Sequence, residues 1–207
     1  MRKIIDDCEI ILRLTDEMLS INSIAEAVGI SKTQKVRHDK FVRRTGLNIM
    51  DVLSTGRDFV LYGEPGAGKT TTLQHFTKMR LDESKVSNII YVPLSKTVEA
   101  VSWNDVDDID QIHYLQLATV IYLKKQGAIL DASILDDLMS ENGTSIIYDG
   151  LDEVYDKAPW VVSAIKKIRS KFNKLQILIS SRTIGPYSNK IESLGLTLLP
   201  FTDEQRM

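Results

Sequence analysis

Short apolar runs alternate with longer helical segments along most of this chain. Asp58 to Tyr62, Asn88 to Pro93, Ser145 to Tyr148, Leu175 to Ile179 and Leu196 to Leu199 each read as a buried strand. Between them lie longer segments that read as helices, near Lys69 to Arg80, Asp110 to Lys125, Ile134 to Ser140 and Trp160 to Phe172. Near-continuous apolar strands joined by helices predict a parallel sheet covered on both faces, because a crossover helix returns the chain to the start of the next parallel strand. The expected fold class is α/β, a three-layer fold with a parallel five-stranded sheet spanning residues 46–207. The last helix shows an inner face in Val161, Ile165, Ile168 and Phe172 and leaves Lys166, Lys167, Arg169, Lys171 and Lys174 to solvent, the ordinary exterior of a surface helix.

Ahead of that core, Ile4, Ile5, Cys8, Ile11, Leu12, Met18 and Leu19 fall at helical spacing and predict an amphipathic helix over residues 2–19, which opens a small helical N-terminal segment, residues 1–45. Within this segment, Ser23 to Thr33 has the small-residue, glycine and apolar spacing of a helix-turn-helix. Lys32, Lys35, Arg37, Lys40, Arg43 and Arg44 would supply phosphate contacts. Lys35 stands where the second helix of such a unit needs an apolar residue, so nucleic-acid binding is not favoured over a docking or linker role. At the other end, Thr202 to Gln205 has capping-box spacing, with only Arg206 and Met207 beyond it. The natural protein is expected to continue.

At 207 residues the chain has room for one α/β domain and an appendage. A net charge of −2 gives no global pull toward nucleic acid or an anionic surface. The single cysteine, Cys8, excludes an internal disulfide framework and a cysteine zinc site. No run approaches the roughly 20 apolar residues of a membrane span. A soluble, cytoplasmic protein with no membrane partner is the expectation. Asp105, Asp107, Asp108 and Asp110 lack the glycine and distal glutamate of a calcium loop, and read as a loop and an acidic helix start.

The chemistry concentrates after the first core strand. Gly63-Glu64-Pro65-Gly66-Ala67-Gly68-Lys69-Thr70 is a complete G-x-x-x-x-G-K-T phosphate loop, followed by Thr71. Glycines let the backbone turn tightly enough to aim several N–H groups at phosphate oxygens. Lys69 would reach the β and γ phosphates, and the Thr70 hydroxyl would sit on Mg²⁺. The fold is thus expected to be that of a P-loop NTPase, with a nucleoside triphosphate as ligand. A second motif, Ser145 to Val154, ends a buried strand in Asp149 and adds Asp152 and Glu153 soon after. Asp149 would complete the Mg²⁺ shell begun by Thr70, while Asp152 and Glu153 would orient or deprotonate an attacking water.

Three segments together resemble a NACHT-type STAND NTPase: the phosphate loop with Thr71, the Asp136 to Gly143 stretch before the strand, and Tyr148-Asp149-Gly150-Leu151-Asp152-Glu153-Val154. Gly150 matches the small residue after that family's magnesium aspartate, and Asp152 and Glu153 match its acidic pair. Tyr148 departs from the usual aliphatic residue. Leu175 to Arg182 is similar to the family's sensor 1 strand, whose terminal arginine faces the γ-phosphate; by that resemblance the role falls to Arg182. Leu199 to Gln205 is similar to the entry into a helical lid, and the lid, winged helix and sensor repeats are absent from this chain. The resemblance implies ATP and ADP as ligands, slow hydrolysis, and a signalling switch that self-associates in its ATP state, in bacterial defence or innate immunity. The alternatives are an AAA+-like ATPase or DNA-linked regulator using the helix-turn-helix at residues 20–44, though an AAA+ enzyme usually has its glutamate where this chain has Gly150, and a scaffold that binds nucleotide without hydrolysis. A small GTPase is disfavoured, since Asn189-Lys190-Ile191-Glu192 is a near miss for Asn-Lys-x-Asp.

Overall fold

The computed structural model describes residues 10–13, 43–45, 49–82, 88–100, 111–182, 191 and 193–198. Its strands are β1 (Ile10–Arg13), β2 (Arg43–Thr45), β3 (Phe59–Tyr62), β4 (Ile89–Pro93), β5 (Ser145–Asp149), β6 (Gln176–Ser181) and β7 (Leu194–Leu198). They form one seven-stranded sheet in the order β2-β1-β7-β3-β6-β5-β4. From β7 to β4 every neighbouring pair is parallel. This is the expected five-stranded parallel sheet, and its α/β layering is that of a P-loop NTPase. Observed strand ends differ from the expected ones by one or two residues, the usual uncertainty of element boundaries.

The described helices are α1 (Ile49–Leu53), α2 (Lys69–Asp82), α3 (Leu94–Val98), α4 (Gln111–Lys125), α5 (Ala132–Ser140), α6 (Leu151–Tyr155) and α7 (Trp160–Lys171). Alternation along the strands divides the core in two. Phe59, Leu61, Ile147 and Leu178 face one way and bury Leu73 and Phe76 of α2. Val60, Ile90, Val92, Ile146, Tyr148, Ile177 and Ile179 face the other way, against Leu115 of α4, Leu135 of α5 and Val161, Ile165 and Ile168 of α7. Each fully buried Leu, Ile or Phe stabilises the fold by about 1.5–3 kcal/mol. Among the described residues no helix is long and apolar enough to cross a membrane.

The helix expected over residues 2–19 is corrected at its centre. Ile10–Arg13 is a strand, paired antiparallel with β7 on one side and with β2 on the other. The run Ile10-Ile11-Leu12 fits either period over so short a length, and the open edge of β7 decides in favour of the strand. Arg43 and Arg44, expected in a basic helical run, lie in β2. The remainder of the helix-turn-helix stretch, Asp105 to Asp110 and the capping box at Thr202 lie outside the described residues.

At the sheet's lower end, polar side chains replace apolar ones. Gln176 donates to the carbonyls of Leu53 (2.7 Å) and Arg57 (2.8 Å), and its Oε1 accepts from the Ser145 hydroxyl at 2.7 Å. Asp58 accepts the Ile177 N–H at 2.8 Å and pairs with Arg169 at 3.0 Å. Burial pushes the Asp58 carboxyl above its ordinary value, and the Ile177 and Arg169 contacts oppose that shift. Arg169 and Lys171, two of the five basic residues expected on the outer face of α7, thus take part in ion pairs with Asp58 and Asp136.

Candidate functional site

The order of the strands places the site. From β3 the chain crosses outward to β4 at the far edge, returns through β5 to β6 beside β3, and then crosses β3 to reach β7. The connections leaving β3 and β6 run in opposite directions. A crevice at the carboxyl ends of two such strands is where open α/β sheets bind ligands. The phosphate loop follows β3 and Arg182 follows β6.

Gly66 and Gly68 have φ of 79° and 89°, left-handed values that favour glycine. Gly63 has a different reason. A Cβ there would stand 3.2 Å from both the Ala67 Cβ and the Leu198 carbonyl oxygen, so this position requires close packing rather than an unusual φ. Past the loop, α2 begins at Lys69, and its leading N–H groups have no carbonyl one turn earlier to bond. The Lys69 ammonium donates to the Gly63 carbonyl at 2.6 Å and to the Glu64 carbonyl at 3.2 Å. Burial lowers its pKa from the ordinary lysine value; Asp152, Asp149 and Glu64 counteract this, and Arg182 adds to it.

Across the crevice, Asp149 ends β5 and is nearly buried. Its Oδ2 accepts the Tyr91 hydroxyl at 2.5 Å, and its Oδ1 accepts the Ser180 hydroxyl. Ser180 in turn accepts the Gly150 N–H at 2.8 Å. Gly150 turns the chain with a φ of 83° and starts α6, which carries Asp152 and Glu153 in its first turn. Arg182 meets both: its Nε pairs with Asp152 at 3.0 Å and its Nη2 lies 3.7 Å from Glu153. Burial and the bond to Asp149 push the Tyr91 phenol well above the ordinary tyrosine range, so it stays a donor.

These groups enclose a cleft of about 310 Å³. Pro65, Gly66, Gly68, Lys69, Thr70 and Thr71 line one wall; Asp149, Gly150, Asp152, Glu153, Ser180 and Arg182 line the other. Of the loop residues expected to bind nucleotide, Gly63 and Ala67 are buried beneath the cleft, and Glu64 is exposed and turns its carbonyl to Lys69. Two residues in contact with Asp149, Tyr91 and Ser180, carry no sequence-level role. The signal for Tyr91 is a polar-tipped side chain in an otherwise apolar strand. Ser180 sits one strand over from Asp149, a neighbour that only the sheet order reveals.

The donors fit a magnesium ion. Thr70 and Asp149 offer a hydroxyl and a carboxylate, and each Asp149 oxygen keeps a lone pair beyond the one its hydroxyl donor uses. Mg²⁺ takes hard oxygen ligands, usually one or two carboxylates completed by phosphate oxygens and water. Among the described residues no group of three or more His, Cys, Asp or Glu would hold a metal unaided. A Mg²⁺ shared with a phosphate matches that donor set.

No protein-family model matches the chain, and no curated protein does. Among solved structures it is similar to C. elegans PCH-2, with 13% identity over 89% of this chain and a TM-score of 0.45. It is also similar to the cytoplasmic domain of EssC, with 10% identity over 80% of this chain and a TM-score of 0.40. A third is the genome packaging NTPase B204 from Sulfolobus turreted icosahedral virus 2 in complex with ATP-gammaS, with 18% identity over 62% of this chain, 67% of that one, and a TM-score of 0.29. The chain spans 42% and 36% of the lengths of the first two. At such scores the likeness adds nothing to what the sheet order and the phosphate loop establish.

Proposed function

We propose that this chain binds ATP with Mg²⁺ and hydrolyses it slowly, as the nucleotide-binding core of a NACHT-type signalling switch. The observation that carries the reading is the cleft in which Lys69 and Thr70 face Asp149, Glu153 and Arg182. In this reading the backbone of Gly66 to Thr71 holds the β and γ phosphates, and Lys69 exchanges its carbonyl partners for phosphate oxygens. Thr70 and Asp149 hold Mg²⁺, which supplies positive charge against the charge that develops on the phosphates. Glu153 orients the attacking water and accepts its proton, and Arg182 meets the γ-phosphate. Control of self-association by nucleotide comes with the resemblance, while a cytoplasmic location and the division at residue 45/46 rest on the sequence reading alone. ATP over GTP does too, since the lining residues belong to the triphosphate end of the ligand.

Two measurements test this. Lys69→Ala should weaken ATP binding on the order of 100-fold, the scale of removing one partner of a desolvated charge pair. Undiminished affinity in a titration would end the phosphate-loop assignment. The nucleotide released by denaturing the purified protein, identified by chromatography, tests the switch. Near-stoichiometric ADP supports a state that holds its product, whereas an empty site with rapid ATP turnover favours a motor-like ATPase.

A further inference from the structure

Asp149 is gripped from two strands, and the two grips differ in kind. Ser180 is a lateral neighbour: the β5–β6 register that pairs Ser145 with Gln176 and Tyr148 with Ile179 brings Asp149 level with Ser180. Tyr91 is level with Ile147 in the β4–β5 register. Its hydroxyl must therefore rise two residues along the strand, about 7 Å, to meet Oδ2. A side chain with the length of tyrosine and an O–H at its tip does this. Phenylalanine fills the same space and leaves the oxygen without its donor. The Gln74 side chain also lies close to the phenol. Gln74 lies one helical turn beyond Thr70 on α2 and so shares its face. The Tyr91 hydroxyl thus stands between the helix that carries Thr70 and the strand that carries Asp149.

We propose that Tyr91 is a positioning residue for metal binding: its hydroxyl fixes the Asp149 carboxylate so that one lone pair of Oδ2 is held by a donor while the other stays directed at the site Thr70 shares. The inference rests on the reading of Asp149 as a Mg²⁺ ligand. An unclamped carboxylate rotates about its terminal torsion, where the barrier is broad and low. Outer partners of metal ligands restrict that rotation, and their loss typically weakens metal binding about 10- to 100-fold.

The test is equilibrium binding of a fluorescent, non-hydrolysable ATP analogue by the wild-type chain and by Tyr91→Phe. Mg²⁺ is titrated at fixed analogue, and the analogue is titrated separately in excess EDTA. The expected result is a half-saturating Mg²⁺ concentration about tenfold higher in Tyr91→Phe, with metal-free affinity equal to wild type and a melting temperature at most a few degrees lower, from the donor lost to a nearly buried oxygen. Equal Mg²⁺ dependence in the two proteins overturns the role of Tyr91 and leaves the Asp149 reading standing. Equal weakening with and without Mg²⁺ overturns it as well, because a general structural defect then accounts for the loss. A wild-type chain whose binding ignores Mg²⁺ overturns both.

Discussion

Asp152 holds Arg182 at two points: its Oδ1 accepts the Arg182 backbone N–H at 2.9 Å, and its Oδ2 pairs with the Arg182 Nε at 3.0 Å. Glu153 reaches the same guanidinium only at 3.7 Å. The Asp152 side chain is 17% exposed and that of Glu153 44%. Two carboxylates that are interchangeable as a motif therefore differ in place. Asp152 is occupied in orienting the segment after β6, and Glu153 is the carboxylate with room for a water.

Glu153→Gln should accordingly keep ATP affinity and lower the single-turnover hydrolysis rate at least about 100-fold, the usual scale of a lost general base. Asp152→Asn keeps an oxygen for the Arg182 N–H and should cost about tenfold or less. Rapid-quench measurements on both variants decide the matter. Equal losses would mean that the division of roles between the two carboxylates is wrong.

Nucleotide binding should also weaken at high pH, earlier than an ordinary lysine would allow. The triphosphate favours the charged ammonium, and burial lowers the pKa of Lys69 in the free protein from 10.5. As pH rises through that lowered value, the free protein loses its proton first, and affinity falls by up to tenfold per pH unit until the complex titrates as well. Measured dissociation constants between pH 7 and the alkaline limit of stability check this. A constant affinity up to 10.5 and beyond would show that the ammonium does not contribute to binding.

The five parallel strands are legible in the sequence as short apolar runs, as Ser145 to Tyr148 illustrates, and the four long helices as the longer segments between them, the clearest being the amphipathic repeat of Val161 to Phe172. The short helices α1, α3 and α6 are not. Five residues give barely more than one turn of periodicity, and in α6 the start is set by the left-handed turn at Gly150. Strand β1 is misread because the edge of β7, distant in sequence, decides its state. The cleft follows the same rule. The phosphate loop and Asp149 carry local patterns, but the contact of Tyr91 with Asp149 spans 58 residues and leaves no spacing to find.

Gln176→Ala should destabilise the fold by about 2 kcal/mol or more. The substitution leaves the buried Leu53 carbonyl and the half-buried Arg57 carbonyl without the donor that now ties α1 to the sheet, and the Ser145 hydroxyl without its acceptor. Each buried group left unsatisfied costs about 1–3 kcal/mol, with water recovering part of the loss at the half-exposed end. Chemical denaturation gives the difference directly. A change within about 0.5 kcal/mol would mean that the network at the sheet's lower end is replaced by solvent without loss.

Gly150→Ala should damage stability and hydrolysis together while sparing nucleotide affinity. The backbone there has φ 83° and ψ 46°, and a residue with a Cβ costs about 1–2 kcal/mol in that region. The added methyl would also stand 3.1 Å from the Glu153 Cδ and 3.2 Å from its Oε2. The Glu153 side chain is flexible and exposed, so it yields, and in yielding moves the carboxylate assigned to the attacking water. Lys69, Thr70 and the loop backbone are on the opposite wall and keep their places. The expected outcome is a melting temperature several degrees lower, an ATP dissociation constant within about threefold of wild type, and a hydrolysis rate near that of Glu153→Gln. A variant with lowered stability and full hydrolysis would show that the position of Glu153 beside Gly150 is not the one from which it acts.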